Sequence, residues 1–393
     1  MGHDGVLGAR LEALLNKVEP QEAGYGAGVS VFREGSLLGQ AWIGEAAPGR
    51  AWSKTTPVLT WSVSKGIVSI LVALLARDGP IDPDCPISTY WPEFGSGSKN
   101  GLSLMDVMTH QAGLAWLPKA EAMPSFGSTT GWAQTETIED ALATMASIPD
   151  QTGQVGYHAL TFGWLIEGCL RRATGKGLNA HLQHMIGVVD GIDMSFGTRS
   201  SAVKRALAKP GVPHIGLEKA AAVDEAFADA ENPLRKSLCV PTGMTFSEVL
   251  RATEDDAFLA AETPAMSLIS DANSLARVYS LFATAERVDG EILIDNAGRD
   301  EAIRGRAETD EDAITGGARK MAVGFVLNSP PSISLAPGDR VFGHPGMGGS
   351  LAWGDPETGL GFAYLTNASI PDTVTDARAV ELSNFVWSVV CET

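Results

Sequence analysis

The sequence predicts a mixed α/β fold: an antiparallel sheet built from both chain ends and flanked by helices, with a mostly helical domain inserted between. Two observations lead there. Segments with strand character stand near the N-terminus, at residues 26–32 and 36–44. They return in succession near the C-terminus, at 321–327, 340–343, 350–353 and 361–366. Between the two groups, helical patterns dominate. A chain of 393 residues is also too long for one ordinary core. Residues 1–80 and 265–393 are therefore expected to form the sheet domain and 81–264 the helical one, with the site in the cleft between them.

The opening MGHDGVLGARLEALLNKV reads as an amphipathic helix. Residues 26–32 and 36–44 make a hairpin through Arg33-Glu34-Gly35. A strongly apolar helix spans 62–77: Ile67, Ile70, Leu71, Leu74 and Leu75 repeat at helical spacing, and Asp78-Gly79-Pro80 closes it. The stretch IDPDCPISTYWPEFGSGSKNGLS, rich in Pro, Gly and Ser, is expected to be an irregular surface connection. Short helices follow at 104–109, 138–147, 161–173 and 179–185, whereas 190–260 is polar, Ala-rich and gives no clear order. Residues 267–282 read as a helix with Ser270 and Asp271 near its start, and 375–390 as a closing helix. No internal repeat is present.

Composition excludes more than it selects. A hydrophobic content of 44% with 19% charged residues is ordinary for a globular protein. A net charge of −18 argues against nucleic acid and anionic membrane surfaces as partners. The N-terminus carries no signal-peptide pattern and the longest apolar run, 67–76, is too short to span a bilayer, so a cytoplasmic protein is expected. Cys85, Cys169, Cys239 and Cys391 are scattered without a C-x-x-C pair, which favours free thiols. His181 and His184 stand three apart with no acidic residue in a matching motif, so no metal is expected there, and no cofactor elsewhere. The oligomeric state is not legible.

Ser62-Val63-Ser64-Lys65 heads the apolar helix, placing a hydroxyl and an amine one turn apart on one face. Such an amine can take the proton of a serine and leave it nucleophilic without a catalytic histidine. The pattern occurs twice more, at Ser96-Gly97-Ser98-Lys99 and Ser201-Ala202-Val203-Lys204, but only the first copy runs on into apolar sequence. In the second copy, a Gly/Ser-rich stretch offers nothing to hold the pair. The plainer alternative for the first is that Ser62 caps the helix and Lys65 is a solvated first-turn residue.

Tyr157 lies where a Gly-containing loop becomes an apolar helix, and a nearby lysine would favour its ionised form; the plainer reading is a packed aromatic. Residues 342–349, FGHPGMGG, are interrupted by Gly and Pro and so cannot be an ordinary central strand. They can bring backbone N–H groups close to a substrate, and His344 there can hydrogen-bond the phenol or a substrate carbonyl. A turn with a surface histidine is the plainer alternative. Gly348-Gly349-Ser350-Leu351-Ala352 lacks the last glycine of a nucleophile elbow and precedes a strand, so it is read as structural.

In this order, SVSKG at 62–66, YWPEF at 90–94, LMDVMTHQAGL at 104–114, YHALTFGWLIEG at 157–168 and FGHPGMGGSLAWGDPETGLGFAYLTN at 342–367 resemble the serine β-lactamase and penicillin-binding-protein superfamily. The resemblance is strongest to class C β-lactamases and family VIII carboxylesterases, and it spans nearly the whole chain. It implies Ser62 as nucleophile, Lys65 as its base and Tyr157 as the residue relaying the proton to the leaving group. It further implies the backbone N–H groups of Ser62 and Met347 as oxyanion donors, and His344 and Gly346 as substrate-binding positions. Lysine and tyrosine are expected to titrate as a coupled pair.

Two departures bear on the substrate. The superfamily's Tyr-x-Asn is Tyr157-His158-Ala159 here, and its Lys-Thr-Gly is His344-Pro345-Gly346. The first removes an amide that holds a β-lactam side chain, and the second replaces a fixed cation with a group usually neutral near pH 7. Each lost contact weakens recognition by roughly 1–3 kcal/mol. The expected activity is therefore hydrolysis of small-molecule carboxylic esters through an acyl-enzyme on Ser62. The alternatives are a β-lactamase, a D-amino-acid peptidase or another amide hydrolase, an acyltransferase, or a silent relative that only binds a ligand. Loops within 115–135 and 190–260 are expected to set specificity, with Trp116, Phe126, Trp132 and Trp353 as candidate pocket residues.

Overall fold

The computed structural model describes residues 2–391, except 96, 119–122, 129–130, 190, 286, 289–290 and 373. Its main sheet is antiparallel and uses both ends of the chain. From one edge the strands run Gly2–Asp4, Ser36–Ala47, Gly26–Arg33, Leu360–Thr366, Leu351–Asp355, Phe342–Pro345, Val326–Leu327, Arg319–Met321 and Ala307–Thr309. Strand Gly26–Arg33 meets Leu360–Thr366 in continuous register, from Arg33 opposite Leu360 to Ala27 opposite Thr366. The N-terminal hairpin turns at Glu34 and Gly35, both with positive φ.

Strand alternation gives the sheet two apolar faces. Leu360, Phe362 and Tyr364 join Val29, Val31, Leu11, Leu15, Leu382 and Val386 in one core, beneath helices Gly8–Val18 and Ala377–Val390. Ala363 and Leu365 face the other way, into the larger core shared with the rest of the helices. That second face is lined by small residues, so helix Ala272–Thr284 lies almost on the backbone: a Cβ at Gly361 would stand 2.1 Å from Ala276 O. A smaller sheet of Val58–Leu59, Leu268–Ser270 and Met194–Phe196 joins the chain just ahead of Ser62 to the middle of the sequence.

Several expectations are corrected. Residues 268–270 form a strand rather than the first turn of a helix; the helix begins after Asp271, whose carboxylate accepts the Ser274 N–H at 2.8 Å. Residues 321–327 are not one strand but two, folded back on each other through Gly324 at φ 77°. Phe342–Pro345 is a strand throughout, but only Phe342 and Gly343 are paired on both sides; His344 and Pro345 pair with strand Leu351–Asp355 alone. Pro345 is tolerated because it is the final residue, where its missing N–H interrupts nothing. The described residues of 190–260 contain five α-helices and one 3-10 turn, among them Leu217–Ala228 and Pro233–Ser237. Lys99 is also held firmly, contrary to expectation, although Ser96 lies outside the described residues. Its buried ammonium donates to Leu142 O at 2.7 Å and to Ala143 O, capping the end of helix Thr135–Thr144.

Among the described residues, no helix is long and apolar enough to cross a membrane.

Candidate active site

The chain enters the nucleophile helix, Val63–Asp78, through a sharp turn at Trp61, whose φ of 52° is unusual for a bulky residue. Thr60 N–H donates to Leu268 O at 2.9 Å, and Ser64 Oγ accepts Leu268 N–H at 3.0 Å. The small sheet therefore fixes the turn. Ser62 occupies the N-cap position, yet its side chain makes no cap hydrogen bond. Lys65 is fully buried. The reading of a capping serine with a solvated lysine is thereby excluded.

Lys65 Nζ stands 3.2 Å from Ser62 Oγ, 2.8 Å from Ala159 O and 3.0 Å from Ala265 O. Burial, with a smaller contribution from the charge of Arg319, drives its pKa well below that of an ordinary lysine. A neutral amine has two N–H donors and one lone pair. The two carbonyls take the donors, and the lone pair is left for the Ser62 hydroxyl. After a proton transfer, the ammonium still finds an acceptor for each of its three hydrogens. One set of positions thus serves both protonation states.

Tyr157 Oη donates to Ser62 Oγ at 2.7 Å. The expectation that a neighbouring cation would favour phenolate is overturned: burial outweighs it, and the Tyr157 pKa is pushed up to about 12. The phenol is therefore a proton holder at neutral pH. Ser237 pins the backbone around it, donating to Tyr157 O at 3.0 Å and accepting Ala159 N–H at 2.9 Å. Among the described residues, neither the Ser62 nor the Met347 backbone N–H donates to a protein acceptor, so both are free for a ligand oxygen.

His344 and Gly346 line the same cavity as Ser62 and Tyr157. His344 Nδ1 meets Pro345 O at 2.7 Å, which assigns it the proton and leaves Nε2 as a buried acceptor without a partner among the described residues. Burial holds its pKa well below the usual histidine value, so the ring is neutral. It hydrogen-bonds neither the phenol nor, in this tautomer, a substrate carbonyl, because Nε2 accepts rather than donates. Gly346 must be glycine for a different reason: a Cβ there would sit 2.6 Å from Thr60 O, where the strand end presses on the nucleophile turn.

Arg319 and Asp312, which the sequence did not single out, also belong to the site. Asp312 accepts the Tyr157 N–H at 3.1 Å on one oxygen and Arg319 Nε–H at 2.9 Å on the other. His110, buried, packs against the Tyr157 ring at 4.9 Å between centroids. The rest of the cavity wall is mostly apolar, with Val223, Phe227, Leu234, Leu238, Ile333 and Met347, but it also includes Thr315, Arg319 and Asp372. None of Trp116, Phe126, Trp132 and Trp353 contributes to it; Trp353 is stacked on Phe362 in the opposite core. Of the other two S-x-x-K copies, neither approaches the site: Lys99 caps a helix, and Lys204 pairs with Asp256.

A buried Tyr279 phenol closes the site from behind, its hydroxyl without a partner among the described residues. A Cβ on Gly66 would stand 1.8 Å from that hydroxyl. Gly66→Ala is therefore expected to destabilise the protein by about 2–3 kcal/mol, read as a lower urea midpoint. Tyr279→Phe in the same background should recover part of the loss, since it removes the clashing oxygen and leaves no partner stranded. An unchanged midpoint in Gly66→Ala would refute the tight contact.

A serine within hydrogen-bonding reach of a buried lysine one turn away, on this sheet-and-helix frame, fits a serine hydrolase of the β-lactamase-like type. The chain belongs to the Beta-lactamase family, which matches residues 12–385. Its relatives include the esterase/beta-lactamase LipL of Mycobacterium tuberculosis, 29% identical over 89% of this chain and 79% of that one. A penicillin-binding protein homolog from Caulobacter crescentus superimposes with a TM-score of 0.79 at 25% identity, covering 99% of this chain and 100% of the other. A family VIII carboxylesterase gives the same TM-score at 24% identity, over 98% and 99% of the two chains.

Proposed function

We propose that the protein is a carboxylesterase that hydrolyses short-chain carboxylic esters through an acyl-enzyme on Ser62. The observation that carries this reading is a Ser62 hydroxyl hydrogen-bonded to both Lys65 and Tyr157 at the floor of a small, largely apolar cavity. The cavity measures about 120 Å³. An engineered cavity of about 150 Å³ holds benzene, so this one suits an acyl group of a few carbons. The cavity has apolar walls for such a chain, and Ala159 occupies the position where the superfamily has an asparagine amide. The site is taken to lie between a sheet domain, residues 1–80 and 265–393, and a helical domain, 81–264.

In the acylation step, Lys65 takes the proton of Ser62 as Oγ bonds to the ester carbonyl carbon. The Ser62 and Met347 N–H groups receive the charge that develops on the carbonyl oxygen. As the C–O bond to the alcohol breaks, Tyr157 gives its proton to the departing oxygen, and the Lys65 ammonium restores it. Deacylation runs this sequence in reverse with water in place of the alcohol: Tyr157 accepts the water proton as it passes its own to Lys65, and Lys65 returns that proton to Ser62 Oγ as its bond to the acyl carbon breaks. Lys65 is the primary base in this scheme because burial favours its free amine, whereas burial holds the proton on the phenol.

The test is turnover of nitrophenyl acetate and butyrate against nitrocefin by the same preparation. Ester turnover well above nitrocefin turnover is expected. The reverse order would assign the site to amide substrates.

A further inference from the structure

We propose that Arg319, anchored by Asp312, is a positioning residue for the Tyr157 phenol and the fixed positive charge of this site. The inference rests on the reading that Ser62, Lys65 and Tyr157 work together, but not on the substrate being an ester. Arg319 Cζ lies 4.5 Å from the centroid of the Tyr157 ring, flat against the residue whose hydroxyl meets Ser62 Oγ. Its Nε bonds Asp312 at 2.9 Å and its Nη2 bonds Thr315 Oγ1 at 3.2 Å. Both charged side chains are nearly inaccessible, at 6% for Arg319 and 0% for Asp312.

A buried ion pair is costly and contributes little by itself to stability, so where its charge points matters. Here the anchor is shared with the residue being served. The same Asp312 carboxylate that holds Arg319 also holds the Tyr157 backbone N–H at 3.1 Å. Backbone and ring of Tyr157 are thus fixed from one point, on the side of the ring reached by strand Arg319–Met321. Besides the Asp312 carboxylate, whose negative charge raises the Tyr157 pKa against the pull of Arg319, the groups around the phenol are basic ones that burial drives towards neutrality. Lys65 approaches from the nucleophile helix, His110 from beyond helix Leu104–Met108, His344 from strand Phe342–Pro345, and His158 from the adjoining position. Burial disfavours the charged form of each. Arg319 is the guanidinium among the basic groups there, paired with Asp312. Its guanidinium disfavours protons on Lys65 and favours their loss from Tyr157.

The test is the pH dependence of Ser62 labelling by a fluorophosphonate, which needs an activated serine but no particular substrate. In Arg319→Met the acid limb of the labelling rate is expected to move up by about 1 pH unit, with the plateau rate lowered as well because the ring loses its support. Arg319→Lys retains the charge but cannot both pair with Asp312 and lie flat on the ring. Its acid limb should stay near that of the wild type while the plateau rate falls. A wild-type limb in Arg319→Met would overturn the proposal. Should that variant not fold, a shifted limb or an undiminished plateau in Arg319→Lys would overturn it equally. If esters are not turned over while labelling follows these shifts, the esterase reading falls and this one stands. Absence of labelling in the wild type ends both.

Discussion

Ser62→Ala is expected to lower kcat/KM for nitrophenyl butyrate by about five orders of magnitude. That corresponds to about 7 kcal/mol of transition-state stabilisation. The size follows from the chemistry: without the hydroxyl no acyl-enzyme forms, and what remains is water attacking an ester held near two backbone N–H donors. Folding should be almost unaffected. The hydroxyl contributes no helix cap, and its two side-chain partners hold other attachments. Lys65 keeps both carbonyls, and Tyr157 keeps Arg319 and Asp312. A thermal midpoint close to the wild type together with lost turnover is the expected pair of results. Retained turnover in Ser62→Ala would remove the acyl-enzyme from the mechanism.

The second large effect is expected for Lys65→Met, a loss of about 10³–10⁴-fold in kcat/KM. Methionine fills the space but offers no lone pair to the serine. The pH dependence separates this from a packing defect. In the wild type, protonation of the buried amine abolishes its capacity as a base, so activity falls as pH drops through the lowered Lys65 pKa; the residual activity of Lys65→Met should lack that limb. Stability carries the same signature with a defined sign. Unfolded, the lysine binds its proton below about pH 10.5; folded, it does so only well below that. Between these values the unfolded chain holds more protons, so wild-type stability declines as pH falls through the window. Lys65→Met should decline less steeply. The variant also strands the carbonyls of Ala159 and Ala265 in the interior, so a somewhat lower midpoint is expected at every pH. An undiminished acid limb in the variant would show that another group supplies it.

The residues legible in the sequence are those whose meaning is local. Ser62 and Lys65 announce themselves by one turn of spacing at the head of an apolar helix, and Tyr157 by its loop-to-helix junction. The sheet was legible from its strands at both ends of the chain. Arg319 and Asp312 were not, because they lie in ETDEDAITGGARK, a charged, turn-rich run indistinguishable from a solvated loop. Only tertiary packing buries them. The helix Leu217–Ala228 escaped notice for a related reason: most of its residues are small or charged, and of its apolar side chains only Val223 and Phe227 reach the cavity. Residues 268–270 misled because three apolar-compatible positions before a cap fit helical spacing as well as strand pairing. Lys99 was underrated because Gly and Ser around it seemed to promise freedom, whereas the carbonyls that hold it come from more than forty positions further on.

The pairing of Gly26–Arg33 with Leu360–Thr366 has a consequence for biosynthesis. The hairpin leaves the ribosome well before the strand that completes its open side, which follows it by more than 300 positions. At about 5–20 residues per second, the hairpin waits on the order of half a minute for its neighbour. Throughout that interval it presents unpaired backbone groups and one uncovered apolar surface, which is a template for misassociation. A nascent chain of this design calls for protection by chaperones until that strand has been made.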